Sequence, residues 1–287
     1  MSRFKFSTPI VDIIPRRYSC RTYNVEPIDD IIKSNLIAFV KADHISPFNG
    51  ETRFELLEIP ELDLKKKMQL GTYGFIQGSQ NFIVGATKES KYNLENFGYI
   101  MEELILFATD LGLNTCWVGG TFKRNKFAAQ INIRDDEAVP AITPVGYAAQ
   151  NRSKVDRLAR WGARSHRRHP WKNLFFEGDH KHPLTREKAA RYNLPLEMIR
   201  LAPSASNRQP WRVIKDSKNF HFFILRKKSL SSHFLSWPDF PRLDLGIAVC
   251  HFHLTAHEQG LRGSWQFIQP EITIPAHLQY VISWFDE

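Results

Sequence analysis

The sequence predicts an α+β protein made of two tandem copies of one unit, and three observations carry that expectation. Apolar stripes at helical spacing alternate with short apolar runs of strand length. A shift of 148 residues lays Asn96 on Asp244, Gly98 on Gly246, Leu106 on Leu254, Ala108 on Ala256, Gly112 on Gly260, Leu113 on Leu261 and Trp117 on Trp265. Finally, 287 residues with 43% hydrophobic content and seven tryptophans suffice for one large domain or two small ones with a real core. Two copies make a duplication and not a solenoid. Two copies of one unit in one chain are expected to pack as a homodimer would, about a pseudo-twofold axis.

The elements follow in order. Pro15–Tyr23 precedes a helix expected over Ile28–Val40, with Pro27 at its start and Ile31, Ile32, Leu36 and Ile37 apolar. A polar loop, Lys41–Thr52, leads to a strand over Phe54–Ile59, a further helix over Leu62–Leu70, a loop over Gly71–Gly78 and a strand over Asn81–Gly85. Asn96–Leu113 is the clearest helix. Asn96 is its expected N-cap, Phe97, Ile100, Leu104, Ala108 and Leu111 form its stripe, and Gly112 sits where a left-handed C-terminal cap belongs. A strand over Thr115–Val118, a turn at Gly119-Gly120, a short helix and a strand over Ala141–Tyr147 complete the first copy. In the second, Asp244 takes the N-cap, Arg212-Val-Ile stands where Arg53-Phe-Glu stood, and Tyr280–Phe285 matches Ala141–Tyr147. The halves span about 10–165 and 180–287 around a basic linker, Arg164–His182, giving domains 1–165 and 166–287.

Composition narrows the function classes. The three cysteines, Cys20, Cys116 and Cys250, are odd in number and far apart, which argues for a reducing compartment and a cytoplasmic location. No apolar h-region opens the chain, and no run approaches the roughly 18 apolar residues of a membrane span. The formal charge of +9 is concentrated: Asn151–His169 holds seven arginines and lysines against the single acid Asp156. Such a run is a solvated face, a phosphate-binding tail, or a nucleic-acid or membrane surface. Thin aromatic interleaving (Trp161, Trp171) and the lack of a nucleic-acid motif leave no nucleic acid or membrane partner expected.

Two stretches carry chemistry. In Ala202-Pro-Ser-Ala-Ser-Asn-Arg-Gln-Pro-Trp-Arg-Val213, Pro203 and Pro210 stiffen a loop that enters a strand near Trp211–Ile214. Its Ser and Asn side chains suit either a self-bonded surface turn or a ligand. In Arg17-x-Ser-x-Arg-x-Tyr23, alternate residues of an extended chain point one way. Arg17, Ser19 and Arg21 can then converge on a phosphate and an adjoining polyol. Isolated, this pattern is equally that of exposed arginines.

Together these stretches resemble the flavin-dependent nitroreductase family. Ala202, Pro203, Ser204, Asn207, Gln209, Pro210 and Trp211 match its A-P-S-x-x-N-x-Q-P-W loop. Arg17 to Tyr23 match Arg-(Arg/Tyr/Ser)-Ser-x-Arg-x-(Phe/Tyr). The resemblance covers nearly the whole chain and is nearest to the tandem-duplicated, Thermotoga-type subgroup. It implies a nitroreductase-like fold, with mostly antiparallel sheets flanked by helices and an intrachain pseudo-dimer standing in for the family's obligate dimer. It also implies FMN. Arg17, Ser19 and Arg21 are the expected phosphate and polyol contacts, Lys154 and Arg157 further phosphate contacts, and the turn at Gly119 and Gly120 a backbone contact to the flavin ring. Pro203, Ser204, Asn207 and Gln209 would come from across the interface. Ala205 departs from relatives that carry a second Ser.

The halves have complementary parts. The first has the arginines and the basic tail, but Ala42–Asn49 in place of the loop. The second has the loop, but Leu184–Arg191 lacks Arg-x-Ser-x-Arg. One FMN per chain follows. The implied activity is NAD(P)H-dependent reduction of an electron-poor acceptor, a nitroaromatic or quinone, in a monomeric pseudo-dimer capable of further self-association. The cofactor carries the chemistry, and no catalytic side chain is singled out. An FMN-binding protein without turnover, and a basic nucleic-acid- or membrane-associating protein on the same scaffold, are the alternatives. No metal is expected: Cys250, His253 and His257 share a helix face, but their counterparts include Ile105 and Thr109, and no fourth ligand is evident.

Overall fold

The computed structural model describes residues 5–59, 75–150, 167–226 and 237–287. The helix expected over Leu62–Leu70, the start of the Gly71–Gly78 loop and the candidates Lys154 and Arg157 lie outside the described residues. The chain divides into two compact units, Met1–Ser165 and His166–Glu287.

The first unit begins with α1 (Ile10–Arg16) and α2 (Asp30–Val40). The side chain of Asp29 caps α2 by accepting from the N–H groups of Ile31 and Ile32, so the helix starts later than Pro27 suggests. Strands β1 (Thr52–Glu58) and β2 (Asn81–Lys88) pair antiparallel, with Arg53 opposite Ala86. Helix α3 (Asn93–Asp110) packs on this hairpin, and Gly112 closes it at φ +80°. Next come β3 (Asn114–Thr115), α4 (Arg124–Gln130), β4 (Glu137–Ala138) and β5 (Ile142–Gly146). The sheet order is β1-β2-β5-β3, with β4 on the end of β2, and every pair is antiparallel. A Cβ added at Gly85 of β2 would stand 2.3 Å from the Phe54 ring and 2.6 Å from that of Phe97, so this glycine lets helix and sheet close.

The second unit repeats the plan. It contains β6 (Phe175–Glu177), α5 (Arg186–Ala189), α6 (Asn193–Leu201), β7 (Trp211–Asp216), β8 (Asn219–Leu225), α7 (Phe240–Glu258), β9 (Gly263–Gln266) and β10 (Leu278–Asp286). Its sheet order is β6-β7-β8-β10-β9. Strands β7, β8, β10 and β9 therefore take the places of β1, β2, β5 and β3, and α7 ends on Gly260 at φ +69° as α3 does on Gly112. The α+β class, the antiparallel pairing and the duplication all stand in this topology. An addition is β6, drawn from the expected linker, which runs parallel to β7.

Two expected caps are corrected. Helix α3 starts three residues before Asn96, whose buried side chain donates to Gly50 O at 2.9 Å and Thr52 Oγ1 at 3.2 Å. Helix α7 starts at Phe240, with Pro241 in its first turn, so Asp244 is no cap either. Both residues lie one turn inside their helices and hold the loop ahead of the neighbouring strand. Asp and Asn are chosen there for reach into that loop, and capping statistics do not register it. The strand after α3 is also shorter than expected, Asn114–Thr115, with Val118 bridging to Ile142.

Candidate functional site

In the first unit, the stretch after α1 is extended and docked. Ser19 bridges to Thr115 of β3, and Tyr23 bridges to Ala148. Cys20 N–H donates to Thr115 O at 2.8 Å. The side chains of Cys20 and Tyr23 enter the core, while Ser19 and Arg21 are half-buried. The Tyr23 hydroxyl donates to Cys20 O at 2.7 Å, and burial, with nearby thiols, pushes its pKa well above the usual phenol. Arg21 lies with its guanidinium 5.2 Å from the Phe75 ring centre.

Arg17 is the more telling residue. Its side chain is only 6% exposed, and its Nε is 3.8 Å from Glu102 Oε1, an ion pair beyond hydrogen-bond length. Its buried Nη1 has no hydrogen-bond partner. A buried guanidinium N–H without an acceptor carries a desolvation cost that an anionic ligand would relieve. Glu102 is fully buried and accepts from Trp117 Nε1 at 2.6 Å. Trp117 opens the turn through Gly119 and Gly120, and Gly119 O accepts from Arg124, whose pKa burial lowers. A Cβ added at Gly120 meets nothing within 4 Å, so the turn borders open space.

In the second unit, the loop between α6 and β7 is strained and clamped. Ser206, Asn207 and Gln209 have φ of 51°, 55° and 46°, a left-handed region that non-glycine residues enter at a cost. Bonds from several sides hold it. Ala205 N–H donates to Asp244 Oδ1 at 2.9 Å, and Gln209 N–H donates to Ser204 Oγ at 2.9 Å. Arg168 Nη1 donates to Asn207 Oδ1 at 2.9 Å, while Asn207 Nδ2 donates to Arg167 O at 2.7 Å. His169 N–H donates to Gln209 Oε1 at 2.8 Å, and Gln209 is buried. Ser204, Asn207 and Gln209 therefore shape the loop itself, and Pro203 and Ser204 are half-buried on it. Asp244 is buried beneath it with Oδ2 unpartnered. Burial raises its pKa to about 8 against the pull of the Ala205 N–H and of Arg208, with Asp239 adding to the rise.

Four residues of the candidate site escaped the sequence reading. Arg168 stood in the basic run as one cation among many, and nothing signalled a bond to a residue 39 positions away. Glu102 lies between the stripe positions of a helix, and Asp244 has the identity of an N-cap, so neither signals a site. Arg124 lay in a short helix whose partner is a turn carbonyl. Conversely, Cys20, Cys116 and Cys250 are buried and in no disulfide. His253 is half-buried, and desolvation, then His257, takes its pKa down to about 4. Among the described residues, no group of three His, Cys, Asp or Glu is placed to hold a metal ion, and no helix is long and apolar enough to cross a membrane.

A family model described as Putative TM nitroreductase matches residues 9–256. A solved structure from Thermotoga maritima MSB8, described as a putative nitroreductase, aligns with TM-score 0.59 at 18% identity, over 99% of this chain and 96% of that one. At that identity the likeness shows the fold. A nitroreductase family protein from Clostridium novyi NT aligns with TM-score 0.42 at 21% identity, over 52% of this chain and 91% of that one. A nitroreductase with bound FMN from Bacteroides fragilis NCTC 9343 gives 0.40 at 12%, over 51% and 92%. No curated protein matches this sequence.

Proposed function

Since the chain belongs to the family described as Putative TM nitroreductase, we propose that it is an FMN-dependent oxidoreductase that uses NAD(P)H to reduce a nitroaromatic or quinone-like acceptor. The observation that carries the cofactor reading is the buried Arg17 Nη1 without an acceptor, within a run that also presents Ser19 and Arg21. A phosphate fits that donor set: it is anionic, it accepts several hydrogen bonds, and charge-assisted bonds to it contribute about 1.5–3 kcal/mol each. Arg17, Ser19 and Arg21 would hold the phosphate and polyol, with Lys154 and Arg157 as further phosphate contacts. The Gly119-Gly120 turn would meet the flavin ring, where the open space at Gly120 admits a close approach. When bound, FMN supplies the redox chemistry. The protein's part is to bind, orient and enclose it.

The loop Pro203–Gln209 is a second candidate flavin contact. What supports this is the division of parts: each unit carries one half of the motif set and lacks the other. A strained, many-times-clamped loop also suits a pre-shaped ligand contact better than an idle turn. One FMN per chain is the resulting stoichiometry.

Titration of the purified chain with FMN tests the proposal. Quenching of flavin fluorescence that saturates at one equivalent supports it. Saturation at two equivalents removes the one-site arrangement, and no uptake removes the flavin reading. Steady NAD(P)H oxidation with a quinone or nitro compound separates reductase from flavin carrier. Tight, salt-sensitive DNA binding without flavin would favour the basic-surface alternative.

A further inference from the structure

We propose that Glu102 is a positioning residue: it aims the Arg17 guanidinium at the flavin phosphate and ties that contact to the Trp117–Gly120 turn. The inference rests on the FMN reading above. Its geometry is local to the first unit. One carboxylate, fully buried on α3, reaches Arg17 Nε at 3.8 Å with Oε1 and accepts from the Trp117 indole at 2.6 Å with Oε2. The two elements it joins are the ones assigned to opposite ends of the cofactor. Nε faces the carboxylate at ion-pair distance without a hydrogen bond, and Nη1, likewise buried and without an acceptor, is left for a ligand.

The duplication supplies an internal control. At the 148-residue offset, Glu102 corresponds to Cys250 and Trp117 to Trp265. Cys250 is a fully buried thiol, and the buried Trp265 Nε1 has no hydrogen-bond partner. The repeat therefore folds, with its tryptophan in place, without a carboxylate. A buried carboxylate is costly unless it is paired. It occurs in the copy that carries the Arg-x-Ser-x-Arg run and is absent from the copy that lacks the run. Its requirement thus follows Arg17 and not the packing of the helix.

The test compares FMN with riboflavin, which has the ring and polyol but no phosphate. Glu102→Gln keeps an oxygen that can accept from Trp117 and removes the charge facing Arg17. FMN affinity of the full chain should fall at least tenfold while riboflavin affinity, read by competition, changes less than twofold. In an Arg17→Ala background, the same change should leave FMN affinity within twofold. Equal losses for both flavins, no loss for either, or an undiminished effect without Arg17 would overturn the assignment. Should Glu102→Gln not fold, Glu102→Asp, which keeps the charge but withdraws it from Arg17, is read by the same ratio. A several-fold fall in FMN relative to riboflavin is expected, and an unmoved ratio overturns the assignment. A wild-type chain that takes up no FMN sinks the reading of function itself. A wild-type chain that binds FMN while the variants leave the ratio unmoved sinks only Glu102.

Discussion

Replacing Asp244 with Asn should make the second unit more stable at neutral pH, although it touches the best-clamped loop in that unit. The side chain is buried, its Oδ1 accepts from Ala205 N–H, and its Oδ2 has no partner. Burial lifts the folded pKa from the ordinary 3.8 to about 8. A carboxyl raised in this way contributes its full stability below the unfolded pKa and loses it as pH rises towards the folded one. Between about pH 4 and pH 8, wild-type stability should fall by about 1.4 kcal/mol per pH unit from this group, roughly 4 kcal/mol by pH 7. Above pH 8 the loss levels off. Asn keeps the acceptor for Ala205 and does not titrate, and the equivalent position in the first unit, Asn96, already holds that residue. The assay is scanning calorimetry of both chains from pH 4.5 to 9. The variants should melt together at the acid end and diverge as pH rises, by roughly 3–5 °C per kcal/mol for a unit of this size. Melting temperatures that stay a constant distance apart across that range would refute the reasoning, because the carboxyl would then be ionised in the fold throughout.

Further outcomes are expected. Arg17→Ala or Arg21→Ala should weaken FMN binding about tenfold to a hundredfold, the equivalent of one charge-assisted bond. Arg186→Ala, whose guanidinium pairs with Glu197 and covers Trp171, should leave FMN affinity within about twofold, and equal effects in fluorescence titration would misplace the phosphate. Gly120→Ala should leave thermal stability unchanged, since the new Cβ meets nothing within 4 Å, yet reduce FMN affinity if the ring closes on that turn. Gly85→Ala should lower unfolding stability by about 1–3 kcal/mol in urea titration through overpacking against Phe54 and Phe97, without altering flavin specificity.

What was legible in the sequence was whatever local physics decides. Apolar spacing marked α2, α3 and α7, glycines marked the left-handed residues Gly112 and Gly260, and the 148-residue offset exposed the repeated topology. Loops and caps were less legible because polar residues do interchangeable work. Asn96 and Asp244 have the right identity for caps but occupy the first helical turn and reach sideways into a loop. Strand β6 was hidden in a basic linker, since a three-residue parallel pairing with β7 is decided by Val213, Ile214 and Lys215, far along the chain. Candidate site residues stand out in the sequence where they form a motif, as with Arg17, Ser19 and Arg21. They were missed where the site is assembled through space: Glu102 lies 85 residues from Arg17, and Arg168 lies 39 from Asn207.

The duplication turns each unit into a control for the other, and the differences between the copies then carry more information than the similarities. Where the repeat positions agree, as with Gly112 and Gly260, the residue serves the fold. Where they differ, the fold has shown that it does not need the residue. Asn96 is satisfied by Gly50 and Thr52, so the carboxyl at Asp244 is not required to hold such a loop. Trp265 sits in its sheet without a partner for its indole, so Glu102 is not required to seat Trp117. Both acids are buried at a cost that the sister copy avoids, and each stands beside one of the two stretches assigned to the flavin. That contrast, together with their places beside the Arg17 run and the Ser204 loop, puts Glu102 and Asp244 with Arg17 and Ser204 among the residues to change first.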